Sequence, residues 1–128
     1  MHEYSVVAEL VEALLPQLEG HAGEVTAVFL KKGDLRILSE RALKNAFEIV
    51  AQGTRLERAT LEIESIPTRV ACQNCSYEGP AETLNDDGLH FAVPILACPE
   101  CGDRVEIRAG RELSVERVSL RAAVEEGV

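Results

Sequence analysis

The sequence predicts an α+β fold in which two helices pack on a three-stranded mixed sheet, with a cysteine-bearing module inserted between two of the strands. Three observations support this prediction. Two segments carry apolar residues at helical spacing, and three segments are rich in residues that favour strands. Between Arg69 and Gly110 the composition of the chain changes, and all four cysteines fall there. The composition, with 46% apolar and 27% charged residues, is that of a globular protein.

The first helix is predicted by a single apolar stripe along an amphipathic segment. Its members are Val6, Val7, Leu10, Val11, Leu14, Leu15 and Leu18. Because proline removes a helical hydrogen bond and crowds the carbonyl four residues earlier, we expect a kink or an early end at Pro16. The second helix is expected to begin after Ser39, a typical N-cap residue, and to stop at Gly53.

Three segments are predicted to be strands. The first, "EVTAVFLKK" at 24–32, is mostly apolar, which favours a buried strand. The second, "ATLEIESI" at 59–66, alternates apolar and charged residues, as a strand with one wet face does, and Pro67 ends it. The third, "RELSVERVSL" at 111–120, alternates less regularly.

The segment between the second and third strands differs from the rest of the chain. It holds all four cysteines, three of the five prolines and no long periodic run. We therefore predict two domains. One is an α+β domain formed by residues 1–69 plus 110–128, and the other is a separate module formed by residues 70–109.

The four cysteines form two pairs, "CQNC" and "CPECG", separated by the 22 residues 76–97. Each turn aims two thiolates at one ion, and two such turns close a tetrahedron around Zn(II). A module of this size buries too little apolar surface to fold unaided. We predict a zinc ribbon in which a structural zinc is bound by Cys72, Cys75, Cys98 and Cys101. A disulfide pair or a thioredoxin-type motif fits less well, since two CxxC pairs are present and nothing indicates an oxidising compartment.

The net charge of −9 indicates a surface that repels phosphate backbones, so we expect no nucleic-acid partner. No stretch approaches the length of a membrane span, and the first residues lack the basic-then-apolar pattern of a signal peptide. We therefore expect no membrane association and a cytoplasmic location in which the cysteines stay reduced.

The first three residues form a candidate ligand set for a metal ion. A bulky second residue generally blocks removal of the initiator methionine, so the Met1 amine should persist. This amine, the His2 backbone nitrogen and the His2 imidazole form two chelate rings, and Glu3 completes a planar set through its amide or carboxylate. Such a set suits Ni(II) or Cu(II), and the scarcity of free copper in a reducing cytosol favours nickel. Taken alone, a histidine at position 2 is more often part of a solvated chain end.

Together, these segments resemble the HypA family of nickel-insertion accessory proteins, which serve hydrogenase maturation. The resemblance rests on "MHEYS" heading an amphipathic helix, "VFLKKGDL", "ALKNAFEIVAQGT", "LEIESIP", and the CxxC…CPxCG pairs followed by "GRELSVERVSL". It runs from Met1 to about Leu120. Two features depart from the common pattern: the long spacer resembles that of archaeal members, and Tyr4 stands where an aliphatic residue is more usual.

The resemblance implies that Met1, His2 and Glu3 bind Ni(II) as a transient cargo and that the four cysteines bind zinc. It implies a metallochaperone and not an enzyme, working with a maturation GTPase of the same pathway. The recipient would be the large subunit of nickel-iron hydrogenase. Delivery to urease and a zinc-ribbon interaction module in transcription or translation remain alternatives, and both a monomer and a homodimer remain open.

Two further features complete the prediction. His90 lies close to the second cysteine pair and would be an alternate metal ligand or a sensor. Since four thiolates already satisfy zinc, we expect instead a loop histidine packed beside Phe91. The sequence carries neither a GxxxxGK[ST] nor a GxGxxG phosphate-binding motif, so any nucleotide hydrolysis must come from a partner.

Overall fold

The computed structural model describes residues 2–84 and 93–122. The helices are α1 (His2–Gln17) and α2 (Glu40–Val50). The strands are β1 (Glu24–Gly33), β2 (Thr60–Ile66), β3 (Arg69–Cys72), β4 (Glu78–Pro80), β5 (Thr83–Leu84), β6 (Val93–Pro94), β7 (Val105–Ala109) and β8 (Leu113–Arg121). The predicted α+β class, with its two helices and its three long strands, is therefore confirmed. No helix within the described ranges is long and apolar enough to cross a membrane.

The three long strands form one mixed sheet in the order β2-β1-β8. Strand β2 begins beside the start of β1 and ends beside its end, so the two run parallel. Strand β8 begins beside the end of β1 and finishes beside its start, so this pair is antiparallel. A parallel pair needs a crossover connection, and α2 lies in the segment that makes it.

Both helices end close to the residues that the sequence indicates. α1 ends at Gln17, one residue beyond Pro16, which agrees with an early end. α2 begins as predicted, because the Ser39 hydroxyl accepts a hydrogen bond from the Ala42 N–H at 3.2 Å. The helix stops at Val50, and Gly53, with φ of 75°, lies in the turns that follow it.

The chain divides into two compact units. The first unit comprises Met1–Leu30, Leu38–Ile63 and Ser114–Val128. The second, here called the cysteine unit, comprises Lys31–Ile37 and Glu64–Leu113. The module boundaries inferred from composition, 70–109, stay a prediction.

The two units bury different amounts of apolar surface. In the first unit, α1, β1 and α2 share a core of aliphatic side chains closed by one aromatic ring. Its members include Val7, Val11, Leu14, Val25, Val28, Leu30, Leu43 and Phe47. In the cysteine unit, the described buried apolar side chains are Val70, Cys72, Pro94 and Cys98. The cysteines are therefore a large part of what this unit packs around.

The cysteine unit is built from short antiparallel strands that the sequence pattern did not reveal. One sheet has the order β4-β3-β7, with Val70 of β3 facing Gly79 on one side and Ile107 on the other. A two-stranded ribbon pairs β5 with β6. Strands of two to five residues are too short for an alternating pattern to stand out, which is why composition alone marked this region.

Candidate metal centres

The structure brings the four predicted cysteines together. Their sulfur atoms all lie within 4.8 Å of one another. The Cys72 and Cys101 sulfurs are 3.6 Å apart, and the Cys75 and Cys98 sulfurs are 3.5 Å apart. Four thiolates around one zinc at about 2.3 Å would place neighbouring sulfurs roughly 3.8 Å apart. The donor set therefore fits a tetrahedral, thiolate-bound ion.

Each pair of cysteines sits on the same kind of turn. In the first pair, the Cys72 N–H donates to the Tyr77 carbonyl at 2.7 Å, and in the second the Cys98 N–H donates to the Asp103 carbonyl at 2.9 Å. These bonds close two equivalent loops, each starting from the first cysteine of its pair. The spacing of the cysteines predicts such turns, and the backbone confirms that both are formed.

Backbone N–H groups point at the first sulfur of each pair. The N–H groups of Asn74 and Cys75 lie 3.3 and 3.4 Å from Cys72 Sγ. The Glu100 N–H lies 3.4 Å from Cys98 Sγ. Donors of this kind would support the negative charge of a thiolate that binds a metal ion.

The pKa values of Cys75 and Cys98 are shifted in opposite directions. Burial raises the pKa of Cys98, but the N–H groups of Cys101 and Glu100 outweigh it and lower that pKa to about 7. The Tyr77 N–H lowers the pKa of Cys75, but the neighbouring Cys98 sulfur and burial outweigh it and raise that pKa to about 12. A metal cation at the centre of the cysteine cluster would override this difference, because a cation favours the thiolate form of every cysteine that binds it.

The cluster has a closed side and an open side. Cys72 and Cys98, the first cysteines of each pair, are buried, whereas Cys75 and Cys101 are exposed. With four thiolates the coordination sphere of a tetrahedral ion is complete, so no position is left for a reacting water. This arrangement can hold shape, and it does not provide metal-centred catalysis.

A residue that helps to form these turns was missed in the sequence. Ser76 has a positive φ of 68°, and Gly102 has a φ of 75° at the equivalent position of the second pair. Gly102 is recognisable as a residue that permits this backbone, but a serine carries no such signal. The signal that could have revealed Ser76 is its position, one residue after the second cysteine of its pair.

The amino-terminal ligand set is only partly within the described residues. Met1 lies outside them, while His2 and Glu3 form the first turn of α1. The His2 side chain is exposed. Assignment of Met1, His2 and Glu3 as nickel ligands stays a prediction.

Glu3 has a structural partner that the sequence did not reveal. Its Oε2 accepts a hydrogen bond from the Ser39 N–H at 3.0 Å, at the start of α2. This bond holds the pKa of the Glu3 carboxyl below its usual range. The contact joins residues 36 positions apart, and it fixes the beginning of α1 against the beginning of α2.

His90, considered above as an alternate ligand or sensor, lies outside the described residues, as does Phe91. Neither interpretation of this histidine is therefore tested by the structure.

The fold and the four-thiolate cluster define a class of protein: an α+β metal-binding protein with a ribbon-type cysteine site. Residues 1–120 match the HypA family, described as hydrogenase/urease nickel incorporation, metallochaperone. The chain belongs to this family.

Individual relatives agree with this assignment. The hydrogenase maturation factor HypA of Methanothermobacter thermautotrophicus is 34% identical over 122 residues, covering 94% of this chain and 97% of the relative. That of Thermomicrobium roseum is 37% identical over 129 residues, covering 94% and 98%. A solution structure of the nickel metallochaperone HypA from Helicobacter pylori has a TM-score of 0.61 at 20% identity, covering 94% of this chain and 98% of the other. This last likeness shows the shared fold.

Proposed function

We propose that this chain captures Ni(II) at Met1, His2 and Glu3 and delivers it for the maturation of nickel-iron hydrogenase. One observation carries the proposal: the match to a nickel-incorporation family runs over residues 1–120 and so includes these three residues. It favours nickel delivery over the alternative of a zinc-ribbon interaction module in transcription or translation. The family description also names urease, which keeps that enzyme as a second candidate recipient.

The start of α1 is chemically suited to this role. The first N–H groups of a helix have no carbonyl partner within the helix. Nickel can therefore displace the proton of the His2 amide without breaking a helical hydrogen bond. The exposed His2 imidazole is within reach of an ion bound to that nitrogen. A site at an exposed helix end also lets the cargo leave, which a delivery protein requires.

We further propose that the cysteine cluster holds a structural Zn(II). Bound zinc would supply folding energy and a fixed geometry and no reaction. Sulfur separations of 3.5 and 3.6 Å support this identity, because they are close to the edge of a zinc-thiolate tetrahedron. The chain itself would catalyse no reaction, and GTP hydrolysis would belong to a partner GTPase.

The expected partners are that maturation GTPase and the hydrogenase large subunit, with this chain acting as a monomer or a homodimer. We place the process in the cytoplasm, where reducing conditions keep the four thiols available for metal. A net charge of −9 supports the expectation that nucleic acid is not a partner.

The proposal is tested by replacing His2→Ala in untagged protein. We expect specific nickel binding to be lost, because the imidazole and its chelate ring are removed, while zinc content stays at one ion per four cysteines. Isothermal titration with Ni(II) and metal analysis measure the two quantities separately.

An uncleaved amino-terminal tag provides a matched control, because it converts the Met1 amine to an amide without altering His2. We expect tagged wild-type protein to behave like His2→Ala. Equal nickel affinity in the wild type and in His2→Ala would contradict the proposed site, and unchanged uptake by tagged protein would exclude the amine as a ligand.

A further inference from the structure

Two turns of the cysteine unit are locked against each other through their backbones. They are the turn at 33–36, after β1, and the turn at 110–112, before β8; we call them the paired turns. The Gly33 N–H donates to the Glu112 carbonyl at 2.7 Å, and the Leu35 N–H donates to the Gly110 carbonyl at 2.9 Å. The paired turns therefore form one fixed surface.

Only glycine allows this approach. A Cβ atom added to Gly33 would lie 2.0 Å from the Gly110 carbonyl oxygen. Gly110 has a φ of 121°, which other residues rarely adopt, and a Cβ there would lie 2.8 Å from Thr68 Oγ1. The side chains of the paired turns are therefore attached to a backbone that is held in one conformation.

Two arginine side chains extend from the paired turns and form no ion pair with a described acidic residue. Arg36 Nε donates to the Arg111 carbonyl at 3.0 Å, which restrains the Arg36 side chain, and its two terminal nitrogens form no hydrogen bond within the described residues. Both side chains are exposed. Within residues 2–84 and 93–122, neither guanidinium pairs with a carboxylate, whereas nearby Arg108 is paired with Glu78 and Glu106.

The carboxylate that could have neutralised these arginines is engaged elsewhere. Glu112 Oε1 accepts the Gly110 N–H at 2.7 Å. The N–H groups of Glu112 itself, Gly110 and Arg111 together hold the pKa of this carboxyl below its usual range. The backbone donors of the turn are therefore already occupied. A phosphate group, which prefers a cradle of free N–H groups, would not find one here.

A shallow groove of about 310 Å³ is lined in part by Arg111. Its lining combines apolar and charged groups: Ile107, Arg108, Ala109, Arg111 and Glu112. The apolar side chains in this lining suit a polypeptide, which presents both carboxylates and carbon chains, better than a small inorganic anion.

We propose that Arg36 and Arg111 form a docking site for an acidic segment of a partner protein. The whole chain carries a net charge of −9, so an acidic partner is repelled by most of the surface. The paired turns also carry Asp34 and Glu112, and the Glu112 carboxylate is occupied by the Gly110 N–H. The attraction therefore comes from the two exposed guanidinium groups and not from the net charge of the turns. Complementary charge of this kind sets orientation and association rate more than affinity. The anchored Arg36 lowers the entropy lost on binding. This site does not depend on nickel binding.

The test uses the metal-loaded full chain and a capped polyglutamate peptide as the probe. Amide chemical shifts are followed by NMR at low ionic strength. We expect changes confined to residues 35–36 and 107–112. Arg36→Glu with Arg111→Glu should weaken binding by about tenfold or more, because two exposed charge pairs are replaced by repulsion.

A charge-matched control is Lys44→Glu with Arg58→Glu, two exposed residues of the first unit whose side chains form no hydrogen bond or ion pair within the described ranges. We expect this variant to bind nearly as tightly as the wild type. Arg111→Glu alone should fold normally, because the Arg111 side chain forms no hydrogen bond or ion pair within residues 2–84 and 93–122. It should reduce affinity by about threefold to tenfold with unchanged zinc content.

Arg36→Lys separates charge from positioning. It keeps the charge but cannot reproduce the Nε bond to Arg111, so we expect binding to weaken by about twofold to threefold. Three results would overturn the proposal: no shift changes with the peptide, equal weakening in the control variant, or tighter binding of inorganic tripolyphosphate at the same amides. The last result would assign the site to a phosphate ligand.

Discussion

Ser76 and Gly102 share a backbone conformation but differ in what it costs. Both follow the second cysteine of a pair and both have a positive φ. A residue with a Cβ atom is strained there by about 1–2 kcal/mol, whereas glycine is not. The first turn of the metal site is therefore built with some strain, which the other contacts of the cysteine unit, including the metal, must offset.

This comparison predicts opposite effects of two substitutions. Ser76→Gly should tighten metal retention by about 0.5–1 kcal/mol, a factor of about two to five, because it relieves the strain. Gly102→Ala should loosen retention by a similar factor. A Cβ at Gly102 has no atom within 4 Å, so only the backbone effect is measured. Competition for zinc against a coloured chelator gives the ratio, and effects of the same sign in both variants would contradict the explanation.

At the scale of elements, the two helices of the first unit are tied at both ends. Their beginnings meet through Glu3 and the Ser39 N–H, 3.0 Å apart. Beyond their ends, the Arg55 guanidinium donates to the carbonyls of Leu18 and Gly23, at 2.7 and 3.1 Å, and to that of His21. These contacts show that α1 and α2 run in the same direction. They also hold the loop before β1.

The Arg55 contacts predict a stability effect. Arg55→Ala should lower the free energy of unfolding of the first unit by about 1–3 kcal/mol, because one charged group satisfies three carbonyls. Urea denaturation followed by the helical circular dichroism signal measures it, since both helices lie in this unit. Arg58→Ala is the control and should change little, because this exposed side chain forms no hydrogen bond or ion pair with the described part of the chain. A loss no greater than that of the control would show that these bonds contribute nothing.

At the scale of the whole molecule, the two units depend on different sources of stability. The first unit buries many aliphatic side chains, whereas the described core of the cysteine unit consists of Val70, Cys72, Pro94 and Cys98. So small a core cannot offset the conformational entropy of some fifty residues without further help. A metal ion bound by the four cysteines would supply that help, because its binding free energy appears as folding free energy.

Removal of the metal should therefore unfold the cysteine unit and leave the first unit folded. With a strong chelator under reducing conditions, we expect β3, β4 and β7 to lose protection against hydrogen exchange. The helical signal of the first unit should persist, because its core contains no cysteine. Loss of helix in parallel with loss of metal would contradict this independence, and so would retained protection in β3 after complete chelation.

The sequence by itself determined the parts whose causes are local. Apolar spacing located both helices, Ser39 marked the start of α2, and the two CxxC pairs identified the four cysteines that the structure brings together. The strands of the cysteine unit escaped detection because they are too short to show a period. The nickel ligands at the chain start remain a prediction.

Only the tertiary structure decided which distant residues meet. Gly33 lies against Gly110, Arg36 beside Arg111, and Glu3 against Ser39. Each of these contacts joins residues that are tens of positions apart, and their partners are chosen by how strands and turns pack. No local propensity encodes such a choice, since the same glycine, arginine or glutamate would be equally acceptable on an exposed loop.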